Sequence, residues 1–144
     1  MKIINHTGIP EVEGFLRLFG SLLESRFSSE EYDIEIFNLS DEENTYGDIL
    51  VRLGKKIFIS KSQTKRLGLT TPELYAAIAH EMGHIIYRTH PWAADAENRA
   101  DSLAAELGLG EQMISVIEKI IQSRRYRNIT SSLVRRIQFL KHLA

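Results

Sequence analysis

Five residues between positions 80 and 101 have the types and the spacing for metal chemistry: His80, Glu81, His84, Glu97 and Asp101. His80 and His84 stand four apart, so on a helix both imidazoles leave the same face one turn apart and can close on one ion. Glu81, beside the first of them, reaches a water that such an ion activates, which makes it the general base of the His-Glu-x-x-His arrangement. The third ligand has to come from elsewhere. Pro91 cannot continue the preceding helix, so the chain is expected to turn near Thr89 and His90 and to run as a second helix from Trp92 to Leu107. In two antiparallel helices joined by a short turn, one register pairs 84 with 97 and also 80 with 101. Glu97 is therefore the candidate third ligand, and Asp101, one turn on, the acceptor that fixes the tautomer of His80.

An amphipathic helix with surface histidines would also carry His80 and His84; the acidic pair at the facing register is what raises the metal reading above it. Structural zinc sites are closed by four protein ligands, often cysteine. This chain has no cysteine, so three ligands with one open position are favoured, and zinc is the expected cofactor.

The run Ala79-His80-Glu81-Met82-Gly83-His84, followed by Glu97-Asn98-Arg99-Ala100-Asp101-Ser102-Leu103-Ala104, resembles the gluzincin metallopeptidases. The likeness is to the HtpX-like and CAAX-prenyl-protease-like branch and its small soluble relatives, the minigluzincins. Upstream, Asp48-Ile49-Leu50-Val51 and Gly54 to Ser60 resemble that family's substrate-lining edge strand and the strand after it. Downstream, Leu133 to Ile137 resembles its closing helix. The resemblance implies a zincin-like fold, hydrolysis of peptide bonds in a peptide or protein substrate, and substrate contacts along Ile49, Leu50 and Val51, where an extended peptide would add by main-chain hydrogen bonding. The sequence departs from the family at Asp48, where Asn is usual, and at Thr130 and Ser131, near where a His-Pro pair is usual. A second resemblance is to the IrrE/ImmA regulatory proteases, which share His-Glu-x-x-His followed by a helix reading Glu-x-x-Ala, then Asn or Asp, then x-x-Ala.

The length, 144 residues, fits a single metallopeptidase-like domain, and the composition, 43% hydrophobic and 26% charged, is that of a soluble globular protein. No disulfide scaffold can form. Met1 to His6 turns polar after one lysine and no stretch is apolar over a bilayer's thickness, so no secretory leader and no membrane span is expected, and the protein is read as cytoplasmic. Charge is uneven: the first 48 residues hold eleven acidic and three basic side chains, whereas seven basic and no acidic ones stand from Lys119 onward. The basic residues are dispersed at helical spacings, so pairing within the chain is favoured over a nucleic-acid partner, and none is expected. Nothing points to a particular oligomeric state.

Around the site, an α+β fold is expected: a small antiparallel sheet packed on an N-terminal helix, then the active-site helix, the glutamate helix and two C-terminal helices. Glu11 to Phe27 has the apolar period of a helix, with Val12, Phe15, Leu16, Leu18, Phe19, Leu22 and Leu23 on its buried face. Tyr32 to Phe37 alternates like a strand, and His6 ahead of it reads as an exposed residue in a mobile terminus. Asp41 to Asn44 is a polar loop. Ile49 to Leu53 and Lys56 to Ser60 make a hairpin through Gly54-Lys55. Lys61 to Leu69 connects to a helix capped by Thr71, with Pro72 and Glu73 in its first turn. On that helix Ile78, Met82 and Ile85 face the core, and Gly83 marks a close approach by another segment. Glu111 to Ser123 and Ser131 to Leu143 complete the fold, the last turning Leu133, Val134, Ile137, Leu140 and Leu143 inward. Candidates to stabilise an oxyanion are Tyr87, Arg124, Arg125, Tyr126, Arg127 and His142. His90 reads as a turn residue. Besides a zinc endopeptidase, a regulatory protease of the IrrE/ImmA kind and a latent metal-binding domain, its cleft blocked by the C-terminal segment, remain as readings.

Overall fold

In the computed structural model, which describes residues 1–123 and 130–143, all four strands stand in the first half of the chain and the second half is helical, the arrangement of an α+β protein. The chain forms two compact units, Met1–Arg66 and Leu67–Ala144. Among the described residues no helix is long and apolar enough to cross a membrane.

The first unit runs β1 (Ile3–Asn5), α1 (Pro10–Arg26), a 3-10 turn (Glu30–Tyr32), β2 (Ile34–Asn38), β3 (Leu50–Leu53), β4 (Lys56–Ile59) and α2 (Lys61–Arg66). Its sheet, ordered β1-β2-β4-β3, is mixed and corrects the antiparallel sheet expected from sequence. β1 pairs with β2, and β2 with β4, in parallel; only β3 and β4 run antiparallel. The connections explain this. A helix between β1 and β2 returns the chain to its starting end, whereas the turn at Gly54-Lys55 can only reverse it. Gly54 takes φ +60°, a conformation glycine enters without cost.

Alternation holds in the central strands, where Ile34, Ile36, Ile57 and Ile59 are buried and Phe37 and Phe58 stack on the opposite face. His6 is not a loose terminal residue: its ring stacks on Phe37 and its Nε2 lies 2.9 Å from Glu35 Oε2. In α1, Val12, Phe15 and Leu23 are buried, but Leu18 and Leu22 are 65% and 54% exposed. These two leucines, one turn apart, fall outside the buried arc that the spacing suggested. α2 stands in the stretch expected to be a plain connection; it buries no residue, so it has no apolar period to read.

The second unit is helical: α3 (Thr71–Ile86), α4 (Ala96–Glu106), α5 (Gly110–Gln122) and α6 (Thr130–Leu143). α3 is capped by Thr70 and not Thr71. Thr70 Oγ1 accepts from Glu73 N–H while Glu73 Oε1 accepts from Thr70 N–H, a reciprocal pair that satisfies two orphan donors. Glu73 is buried, and Ser115 and Lys119 of α5 donate to it as well. These bonds outweigh the effect of burial and hold its carboxyl down to about 2.

Ile78, Met82 and Ile85 are buried as expected. Gly83 is where α4 comes closest: a Cβ there would lie 2.5 Å from the carbonyl oxygen of Ala100 and 2.8 Å from its Cα. α4 begins at Ala96, later than the expected Trp92, because two tight turns precede it, closed by Ala93 N–H to His90 O and Ala96 N–H to Ala93 O. Trp92 is left 87% exposed. In α6, Leu133 and Leu140 are buried, whereas Val134 and Leu143, expected inward, are exposed.

Candidate metal centre

α3 brings His80 and His84 onto one face, their ring centroids 4.8 Å apart and their planes nearly perpendicular. Both side chains are almost fully buried. Glu97, in the first turn of α4, points a single oxygen at both: Oε2 lies 3.0 Å from His80 Nε2 and 3.4 Å from His84 Nε2. Tetrahedral zinc with bonds of 2.0–2.2 Å needs ligand atoms about 3.3–3.6 Å apart; the two distances to Glu97 Oε2 are close to that range, and all three ligand atoms lie within 4.8 Å of one another. Among the described residues, this is the group of His, Cys, Asp and Glu side chains close enough together to hold an ion.

The remaining imidazole nitrogens are also engaged. His80 Nδ1 is 2.6 Å from Asp101 Oδ1, and His84 Nδ1 is 2.6 Å from Thr89 Oγ1. Each ring is thus gripped on the side away from Glu97, leaving Nε2 as the donor, which is how metal-binding histidines are commonly held. The two facing pairs expected from the helix register therefore form, and their spacing rests on the backbone approach at Gly83 and Ala100.

Asp101 has no solvent exposure, and its carboxylate is shared with Arg136 of α6. Arg136 donates through Nε to Oδ2 and through Nη2 to Oδ1, both at 2.8 Å. A planar guanidinium against a carboxylate is the strong, two-pronged form of the ion pair. Arg136 Nη2 also comes within 3.3 Å of His80 Nδ1; with the Nδ1 hydrogen directed at Asp101, this is a contact of two donors around one acceptor. Arg136 Nη1 lies 3.7 Å from Glu97 Oε2.

Charge and hydrogen bonding shift His80, Glu97 and Asp101. Burial, and after it the Arg136 charge, act to lower the pKa of His80, but hydrogen bonds to Asp101 and Glu97 and the Asp101 charge prevail and push it up to about 9. Burial alone would raise Glu97 and Asp101. Instead, hydrogen bonds from His80 and His84 hold Glu97 far below the usual carboxylate range, and those from Arg136 and His80 hold Asp101 down. Without an ion the site is charge-paired, and a metal has to displace a proton to enter it.

Arg136 and Thr89 were not singled out by sequence. Arg136 had a signal, because it stands among Leu133, Ile137 and Leu140 at helical spacing, where a charge needs a partner. Thr89 had little, being one polar residue in a turn. Glu81 sits half-buried next to His80, and its charge is among those felt by Arg136. Ile49, Leu50 and Val51 belong to the strand unit, the last two in β3, an edge strand of its sheet. Of the oxyanion candidates, Tyr87 donates to the Glu106 carboxylate and His142 is exposed on α6, while Arg124, Arg125, Tyr126 and Arg127 lie outside the described residues. His90 accepts from Trp92 N–H through Nδ1, as suits a turn. No family model, no curated protein and no solved structure matches the chain.

Proposed function

We propose that the chain is a metal-dependent hydrolase of peptide bonds, with a zincin-like fold and a likeness to the gluzincins, in which His80, His84 and Glu97 hold zinc and Glu81 is the general base. One observation carries the reading. Two imidazoles and a carboxylate from two helices converge through Nε2, Nε2 and Oε2, while a separate polar group restrains each Nδ1.

The donor set suits zinc: two neutral nitrogens, one carboxylate oxygen and no thiolate leave a position for water or substrate. When bound, the ion would polarise the scissile carbonyl and lower the pKa of the attacking water toward 7. Asp101 keeps the Nδ1 hydrogen on His80, so that Nε2 presents its lone pair, and Arg136 holds Asp101 in place. Glu81 takes a proton from the attacking water and passes it to the departing amine nitrogen.

Zinc analysis of the purified chain, together with a comparison of Glu81→Gln and the unaltered protein on unfolded protein and mixed peptides, tests this. The expected result is one zinc per chain in both and cleavage only in the unaltered protein, with Glu81→Gln slower by at least about 100-fold. A chain that takes up no zinc, or a variant that cleaves at the unaltered rate, overturns the reading.

A further inference from the structure

We infer that Thr89 is a positioning residue for the second imidazole ligand, set in place by the turn that ends α3; the inference rests on the metal-site reading above. His84 turns Nε2 toward Glu97, so Nδ1 is the nitrogen by which the protein can steer the ring, and Thr89 Oγ1 lies 2.6 Å from it. With the Nε2 lone pair given to an ion, Nδ1 carries the hydrogen and the hydroxyl accepts it. A hydroxyl can also donate, so Thr89 fixes the plane of the ring more firmly than its tautomer.

The backbone delivers this hydroxyl. Thr89 N–H donates to His84 O at 3.1 Å, Arg88 N–H donates to Ile85 O at 3.3 Å, and Arg88 sits at φ +48°. Those two bonds around one left-handed residue make the Schellman ending of a helix. Thr89 therefore hangs by its main chain from the residue whose ring it holds with its side chain. Small movements of the turn carry the hydroxyl with the helix end, and the contact persists. Threonine suits the task because its branched Cβ restricts χ1 and so limits where the hydroxyl can point. The same residue begins the link to Glu97, so the turn joins the second imidazole to the third ligand within one short segment.

The test uses the full chain and zinc itself. Zinc affinity is measured by competition with a chromophoric chelator for the unaltered protein, Thr89→Val, which keeps the shape and removes the hydroxyl, and Thr89→Ser, which restores it. Imidazole nitrogen spectra of the zinc-loaded proteins follow the His84 Nδ1 hydrogen. The expected result is affinity weaker by about 10- to 100-fold in Thr89→Val, recovery in Thr89→Ser to within about threefold of the unaltered value, and a slowly exchanging Nδ1 hydrogen that is lost only in the valine variant. Thr89→Val binding zinc as tightly as the unaltered protein, or Thr89→Ser as weakly as valine, overturns the role of Thr89 and leaves the metal site standing. An unaltered chain that binds no zinc overturns both.

Discussion

His80 and His84 lie one turn apart on one helix and face the same carboxylate, yet the protein secures them in opposite ways. Behind His80 stands a buried ionic chain, Asp101 and then Arg136, which ties α3 to α4 and α6 through residues 21 and 56 positions away in sequence. Behind His84 stands one neutral hydroxyl, five residues along the same strand of chain. The first device exists only once three helices have docked, and it places charges where their loss is expensive. The second forms as soon as α3 ends and costs little to lose. One imidazole is held by the tertiary fold and the other by local backbone geometry, so damage to either should be distinguishable.

The largest expected effect is on the ionic side. Asp101→Ala leaves the Arg136 guanidinium buried without its main partner and removes the acceptor behind His80. It should cost the metal-free chain about 3–5 kcal/mol, measured as a shift in urea unfolding. Thr89→Val, which removes one hydrogen bond from a half-buried position, should cost about 1 kcal/mol or less by the same measurement. Equal losses would erase the contrast between the two sides.

Alkalinity should act on the ionic side. In the metal-free chain the pKa of His80 is raised from 6.5 to about 9. A group raised on folding stabilises the fold fully below its unfolded value and loses that contribution as pH climbs through its folded one. Stability measured in the presence of a chelator should therefore fall between about pH 6.5 and 9, by up to about 3 kcal/mol at ~1.4 kcal/mol per pH unit. Asp101→Asn, which takes away the negative acceptor, should flatten the fall. A level profile in the unaltered chain would show that His80 is neutral there and that the ionic device does not work as described.

The two sides also differ in how far the sequence disclosed them. His80, His84, Glu97 and Asp101 were legible because helical periodicity and a proline-marked turn fix a register, and four residues of the types used in metal chemistry fell on it. Gly83 was legible as a close approach, and Ala100 is what approaches. The spacing around Arg136 shows that it needs a partner, but naming Asp101 as that partner required knowing that α6 returns to α4, which no local pattern encodes. In the strand unit, the Gly54-Lys55 hairpin was readable from its turn residues, but three-residue β1 was not, and without β1 the crossover through α1 and the parallel pairing could not be foreseen. Short elements that gain their order from neighbours leave little periodicity behind.

The smallest expected effect concerns the turn beneath Thr89, which has a counterpart one helix later. α4 ends with the same two bonds, Leu109 N–H to Ala104 O and Gly108 N–H to Ala105 O, around Gly108 at φ +79°. The geometry matches the end of α3, but the left-handed position holds glycine in one and Arg88 in the other. A side chain in that conformation costs roughly 1–2 kcal/mol, and replacing it by glycine returns roughly 0.5–1 kcal/mol of that to the freer unfolded chain. Arg88 also has an interaction of its own, whose loss would trim the gain further. Arg88→Gly should thus stabilise the protein by less than about 1 kcal/mol, whereas Gly108→Ala should destabilise it by about 1 kcal/mol, both read from thermal unfolding. Arg88→Gly lowering stability by more than Gly108→Ala would mean that the arginine side chain, and not the shape of the turn, holds that end of the helix, and with it the hydroxyl behind His84.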